Sequence, residues 1–442
     1  MTPSSRGLWP SSGPSWDADR GEHRMADLRP FLEVSVVVLR TIPQIIFTPG
    51  LALSFWLVVW LVSLQYRRVA GNEERLYGVV KNPVRRQLLV AMGLGLGGGV
   101  FASLLLVSVG VTLTGSGIFY LLPLALLLYL VSPRLMCFSY AGGIVSLSSL
   151  VLGWPEVSVP ALMALVAVLH VTESLLISMS GAGCVTPLFI ADERSRVVGA
   201  YAIQRFWPVP LVVLFAVSVP DITQVTGLIA MPDWWPLIGA SPAYHPGTHT
   251  LVYTLGPVMA ALGYSDLAVA SSPPRKSLRT AGWLATYSVC LLFFAVLAAR
   301  LTIFRWVAAL FGPLGHEWVI RLSNRGELRR QPLFTQSAQG VRVLDVVPGG
   351  PAARAGIVAG DVIQTVNGAE VNYRDQLQQV VAGSPGRLEL TVQRRAGFDR
   401  VLIPGPVEHL QLMTVPEPGD EANVDLRVAG RLSTWLRRRV GG

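Results

Sequence analysis

Charge is what this chain has least of. Only 14% of its 442 residues are Asp, Glu, Lys or Arg, where a soluble globule of this length carries about a quarter. That shortfall excludes an ordinary water-soluble enzyme. Cysteine is scarce as well, with Cys137, Cys184 and Cys290 the whole complement. They lie in or beside apolar runs and show no metal-ligand spacing, which argues against a disulfide or zinc framework. They read as small apolar packing residues. Acidic residues number 27 against 36 basic ones, a net charge of +9. The arginines flank apolar runs, so they orient the chain in a bilayer rather than mark a nucleic-acid surface.

What replaces charge is apolar sequence, 51% of the residues, with a mean hydropathy of +0.49. It is concentrated before residue 315, in runs of membrane-spanning length. The expected fold is therefore a polytopic α-helical membrane domain over 31–315, followed by a small α+β domain. Residues 1–30, rich in Ser, Pro, Gly and charge, are expected to be a disordered extension, with Met25 as the native start. Residues 31–48 carry Glu33, Arg40 and Pro43, and read as an interfacial helix. About eight spans are expected, at 51–66, 88–113, 118–131, 138–152, 159–180, 209–219, 251–267 and 281–299. Arg67, Arg68, Arg75, Lys81, Arg85 and Arg86 mark a cytoplasmic loop after the first. Glycines 93, 95, 97, 98 and 99 permit close helix approach. Residues 192–205 are expected in the cytoplasm and 220–249, free of Lys and Arg, outside. The run 301–315 bears Arg305 and is short for a crossing. If it crosses or re-enters, the C-terminal domain is cytoplasmic, the side that Arg321, Arg325, Arg329 and Arg330 favour over an external location.

The most decodable stretch is 340–368, GVRVLDVVPGGPAARAGIVAGDVIQTVNG. A β-branched strand is broken by Pro348-Gly349-Gly350-Pro351. A short helical turn ends at Gly356, a second strand comes next, and Asn367-Gly368 closes a tight turn. The G-V-x-V, G-P-A-x-x-A-G, G-D-x-I and N-G elements at these offsets resemble a bacterial PDZ domain, placed here at 332–405 after a basic linker, 316–331. Asn372, with Asp375 three residues on, reads as the N-cap of a helix over 373–381. The resemblance implies a peptide groove with Gln339, Gly340, Val341 and Val343 as one wall and Tyr373 and Leu377 as the other. Residues 406–442 read as a linker and a basic amphipathic tail. The tail either rests on anionic lipid or is a solvated end.

Hydrolytic apparatus is not legible. His316-Glu317 invites a zinc-protease reading, but that chemistry needs a second histidine four residues after the first, and position 320 is Ile320. Gly115-Ser116-Gly117 has the wrong spacing for an intramembrane serine nucleophile. No metal, cofactor or enzymatic activity is expected. His170 and Glu173, i and i+3 on one apolar helix, are the costliest intramembrane polar residues. A hydrogen-bonded structural latch is the favoured reading, ahead of a proton relay or ion site.

The layout as a whole, over most of 45–405, resembles the MinJ family of division-site topological determinants. The resemblance is carried by Glu173, Tyr201-Ala202-Ile203-Gln204-Arg205-Phe206-Trp207-Pro208-Val209-Pro210, Trp234-Trp235-Pro236 and Glu317-Trp318, besides the PDZ pattern. It implies a multi-pass, non-enzymatic scaffold with a cytoplasmic PDZ domain, linking a DivIVA-like polar protein to a MinD-like ATPase. The competing classes are a PDZ-bearing membrane protease or its regulator, and a transporter or sensor using His170 and Glu173.

Overall fold

The structure, a computed structural model, describes residues 29–191, 196–220, 228–239, 250–394 and 396–422. The expected disorder of the extension, the start at Met25 and the basic tail fall outside the described residues, save for Arg29 and Pro30.

Among the described residues, five helices are long and apolar enough to cross a membrane: α1 (Arg29–Phe47), α2 (Pro49–Tyr77), α3 (Val84–Val109), α6 (Val159–Ser180) and α7 (Pro273–Arg300). Helix α1 is amphipathic and buries Val34, Val38, Ile42 and Ile45 at i+4 and i+3 spacings. Helix α6 is the most enclosed, with nearly every residue from Val159 to His170 buried. An all-round apolar helix belongs at the centre of a bundle.

Two of the expected spans are too short. Helices α4 (Ile118–Val131) and α5 (Phe138–Leu152) have 14 and 15 residues. At about 1.5 Å per residue neither covers the roughly 30 Å of a hydrocarbon core. The loops flanking them meet at one face, where the Ser158 amide donates to the Gly115 carbonyl at 2.8 Å. The pair is a helical hairpin. Its tip is the turn Pro133–Met136, followed by Cys137.

Two further expected spans are not helices. Residues 209–219 and 251–267 lie in strands β2 (Val197–Val219) and β3 (Thr250–Ala268), which pair antiparallel from Tyr201 to Val219 over the whole of β3. Strand β1 (Val185–Ala191) pairs with the first residues of β2 only. The expected cytoplasmic loop at 192–205 is replaced in part by β2, where Arg205 is 1% exposed and donates to the Gln87 side chain at 2.5 Å. Pro208 and Pro210 explain the outcome. Each would cost a helix interior about 3 kcal/mol, whereas in an edge strand proline removes only an amide that has no partner strand.

Beyond β1, the outer edge of β2 is met group by group. The Gln204 amide donates to the Cys184 carbonyl, and the Phe206 amide to the Tyr66 hydroxyl. Positions 208 and 210 carry no amide hydrogen. The Val212 amide donates to Ser103 Oγ at 2.8 Å and the Ala216 amide to Thr114 Oγ1 at 3.0 Å. The Leu113 amide donates to the Leu214 carbonyl at 2.8 Å. Non-helical backbone is tolerated at membrane depth only when satisfied by protein, and the amides of Gln204, Phe206, Val212 and Ala216 are so satisfied. Gly95 and Gly99 on α3 lie directly on it, so close that a Cβ at either would overlap the Pro208 or Pro210 carbonyl oxygen.

Helix α8 (Thr302–Leu328) runs unbroken through Gly315, so most of the expected linker 316–331 is helix. Near its end Glu327, 1% exposed, accepts the amides of Val269 (3.2 Å), Ala270 (2.9 Å) and Ser271 (3.0 Å), and Arg279 lies 3.5 Å away. Burial alone would raise this carboxyl. The three donors and nearby Lys276 outweigh it and hold the group below its ordinary value. A depressed folded-state value adds stability above the unfolded value of about 4.3, and that stability is lost as pH falls through the folded-state value. Glu327→Gln is therefore expected to cost about 1–3 kcal/mol at pH 7. The cost should shrink as pH drops below the unfolded value, as read from thermal melting of the detergent-solubilised protein. An equal cost at both pH values would contradict the assignment.

The C-terminal domain is built from β4 (Val341–Val346), α9 (Pro351–Arg354), β5 (Val362–Val366), β6 (Ala369–Glu370), α10 (Arg374–Ala382), β7 (Leu388–Arg394), β8 (Gly397–Ile403) and β9 (Leu412–Thr414). The sheet order is β8-β7-β5-β4-β9, with β6 on β5. Its core is Val343, Ile363, Val366, Leu377, Leu388, Leu390 and Val392. The tight turn forms at Asn367-Gly368, with φ of 49° and 82°. Asn372 does not cap α10. Tyr373 holds that position without a side-chain bond, while Asn372 Oδ1 accepts the Gly340 amide at 3.0 Å and pins the start of β4. The domain extends past the expected limit at 405, because β9 lies at 412–414. It packs on the helical layer through Tyr201, whose hydroxyl donates to the Leu344 carbonyl, the Lys81–Asp345 ion pair, and the Gly199 amide on the Phe334 carbonyl at 3.0 Å.

Candidate functional site: a groove at the domain boundary and a buried cluster below it

A strand can recruit a peptide only along an edge that is not already paired. Strand β4 has none, since β5 pairs with one side and β9 with the other. The expected wall of Gln339, Gly340, Val341 and Val343 is therefore corrected: Val341 is 3% exposed and Val343 fully buried, and both are core. The end of the sheet is β9. Between it and α10 lies a groove of about 680 Å³. Arg374, Leu377, Gln378 and Val381 form the helical side and 408–414 the strand side. Leu377, expected on the helical wall, lines this groove. Tyr373 does not line the groove and is half exposed. A third side comes from outside the domain, from Arg75, Gly78 and Val79 at the end of α2 and Phe189 on β1.

The strand side shows no clean alternation. In 410–415, LQLMTV, Leu410, Thr414 and Val415 are buried while Gln411 is exposed. The run comes after a turn-rich stretch that reads as the end of the domain, and this masks it.

His170 reaches across to another helix and not to Glu173. Its Nδ1 is bonded to its own helix, at the Val166 carbonyl 2.7 Å away. Its Nε2 lies 3.0 Å from Cys137 Sγ at the hairpin tip, and His316 Nε2 on α8 lies 3.5 Å from the same sulfur. The ligand atoms of the three all lie within 4.8 Å of one another. Tyr287 packs against both imidazoles, and its hydroxyl is held by Ser139 (2.5 Å) and the Gly312 carbonyl (2.9 Å). Glu317 points elsewhere, to Arg134 (2.5 Å), Arg321 (2.8 Å) and Tyr140 (2.6 Å). The cluster draws on three segments, with His170 and His316 lying 33 and 179 residues from Cys137, and no local spacing announces it.

Comparison with family models matches residues 342–394 to the PDZ domain. The C-terminal domain is thus a PDZ domain, a protein-interaction module. A comparison of the chain with curated proteins gives no match.

Proposed function

We propose that this protein is a non-enzymatic membrane scaffold whose PDZ groove captures an extended segment of a partner at the cytoplasmic face. The observation that carries this reading is the third wall of the groove. Arg75, Gly78 and Val79 lie between the arginines that mark the α2–α3 connection as cytoplasmic. Lys81 in the same connection pairs with Asp345 of the PDZ domain. Groove and basic loop therefore share one side of the helical layer. An incoming strand adds to the free edge of β9, with its side chains over Leu377 and Val381. Because the helical layer closes one flank, the groove selects segments that lie against a membrane. The MinJ resemblance supplies the setting: division-site selection, with DivIVA-like and MinD-like proteins as partners.

Gln378 lines the groove and is exposed, so Gln378→Trp fills the cleft without disturbing the core. In nanodiscs carrying the full-length protein, this change is expected to weaken binding of purified DivIVA-like or MinD-like partner by more than about tenfold, roughly 1.4 kcal/mol. Tyr373→Ala, away from the groove, should leave affinity unchanged. Equal binding by the parent and Gln378→Trp would remove the groove from the mechanism. Binding of neither partner by the parent would remove the division-site setting.

A further inference from the structure

We propose that Cys137, His170 and His316 form a metal site that takes one zinc ion and fastens the tip of the helical hairpin to α6 and α8. The inference is independent of the peptide groove, which lies at the domain boundary.

Three observations carry it. The donor set is one sulfur and two imidazole nitrogens, borderline-to-soft ligands that suit Zn²⁺ and leave Mg²⁺ or Ca²⁺ without the oxygens they require. The spacing is close to that of a tetrahedral centre. Zn–S near 2.3 Å and Zn–N near 2.05 Å put sulfur and nitrogen about 3.6 Å apart, and His316 Nε2 stands 3.5 Å from Sγ. The 3.0 Å separation at His170 is that of a thiol donating to an imidazole, the contact expected before an ion displaces the proton.

The second observation is orientation. His170 Nδ1 donates to the Val166 carbonyl at 2.7 Å. That fixes the tautomer and leaves the Nε2 lone pair directed at the sulfur, the arrangement that metal-bound histidines adopt through their outer nitrogen. Cys137 occupies the N-cap of the 15-residue α5, where its sulfur accepts the Ser139 amide at 3.4 Å. The third observation is His316 Nδ1, which is buried and makes no hydrogen bond among the described residues, so the polar contact of this ring is at Nε2, to the Cys137 sulfur.

The site also accounts for Glu173. With a single thiolate, a bound Zn²⁺ leaves a net positive charge inside an apolar bundle. Glu173 has no hydrogen bond or ion pair among the described residues and shares a helix face with His170. It is placed to offset that charge. Binding is an exchange with no redox step. Zn²⁺ enters, the Cys137 proton leaves to solvent, and three protein ligands leave one coordination position for a water.

The test uses the full chain in detergent micelles, stripped with a chelator, dialysed against zinc and analysed for bound metal. One equivalent per chain is expected to remain after gel filtration. Cys137→Ser, His170→Gln and His316→Gln should each weaken zinc by more than about 100-fold. Cys290→Ser, which alters a thiol outside the cluster, should retain the full equivalent. Retention of tightly bound zinc by Cys137→Ser or His170→Gln overturns the site, as does a stripped parent that takes up none. Should the variants fail to fold, cobalt loading of the parent decides. A thiolate-to-cobalt charge-transfer band with tetrahedral d–d intensity supports the site, and a cobalt spectrum lacking the band overturns it.

Discussion

Gly95→Ala and Gly99→Ala are each expected to destabilise the protein by about 3 kcal/mol or more, far beyond what one methyl group usually does in a helix. On an open helix surface the same change stabilises by roughly 0.5–1 kcal/mol, because alanine loses less backbone freedom. Gly93 and Gly97 are such positions, exposed and with nothing near enough to touch an added Cβ. At Gly95 and Gly99 the added methyl meets the backbone oxygens of Pro208 and Pro210, which cannot rotate away as a side chain can. Relief requires α3 to lift from β2. Lifting it also pulls Ser103 Oγ from the Val212 amide and leaves a buried donor unsatisfied. The measurement is the thermal midpoint of the solubilised protein for the four single alanine variants. The expected order is Gly93→Ala and Gly97→Ala at or above the parent, with Gly95→Ala and Gly99→Ala far below. If 197–219 were a helix in lipid, all four variants would behave alike, so a flat series would refute the hairpin.

That contrast bears on what was legible in the chain. The PDZ domain could be read because its signals are local and chemically restrictive: Asn367-Gly368 has positive φ at both positions, and its other turns are punctuated by proline and glycine. The segments at 209–219 and 251–267 could not be read by length and polarity. A run of Val, Leu, Phe and Ala suits a buried strand as well as a helix. Pro208 and Pro210 are the discriminating signal, since two prolines that close together are cheap on a strand edge and costly in a helix. Among the glycines, sequence showed that α3 approaches something closely, but not that the neighbour is a strand edge. The groove was half legible: Leu377 belongs to it, whereas β4 lost its free edge to a strand that arrives about seventy residues later. The Cys137–His170–His316 cluster had no linear signature, because one ligand comes from a hairpin tip and two from different helices.

The late strand leads to the second large effect. A chain ending at Gly405 contains every residue matched to the PDZ family, yet it is expected to lose both the groove and most of the domain's stability. The missing segment buries Leu410 in the PDZ core and Val415 in the core shared with the helical layer, about 1.5–3 kcal/mol each. It also accepts the Val347 amide at Gln411 (3.0 Å) and the Ala352 amide at Leu410 (3.2 Å), and donates from Val415 to the Arg342 carbonyl (3.0 Å). These bonds add about 1 kcal/mol apiece. The sum is on the order of 6 kcal/mol, comparable with the whole stability of a small domain. A chain ending at Ala422 keeps β9 and also the Arg374–Asp420 ion pair that ties the segment to α10. The two truncations, compared by limited proteolysis and by binding of the same partner, should therefore part sharply. The longer should resist cleavage and bind as the parent does. The shorter should be cut within 332–404 and bind nothing. Protection of the Gly405 chain equal to that of the Ala422 chain would show that β4, with one edge restored, forms a stable domain unaided, and would return the groove to the wall that the PDZ resemblance assigns to it.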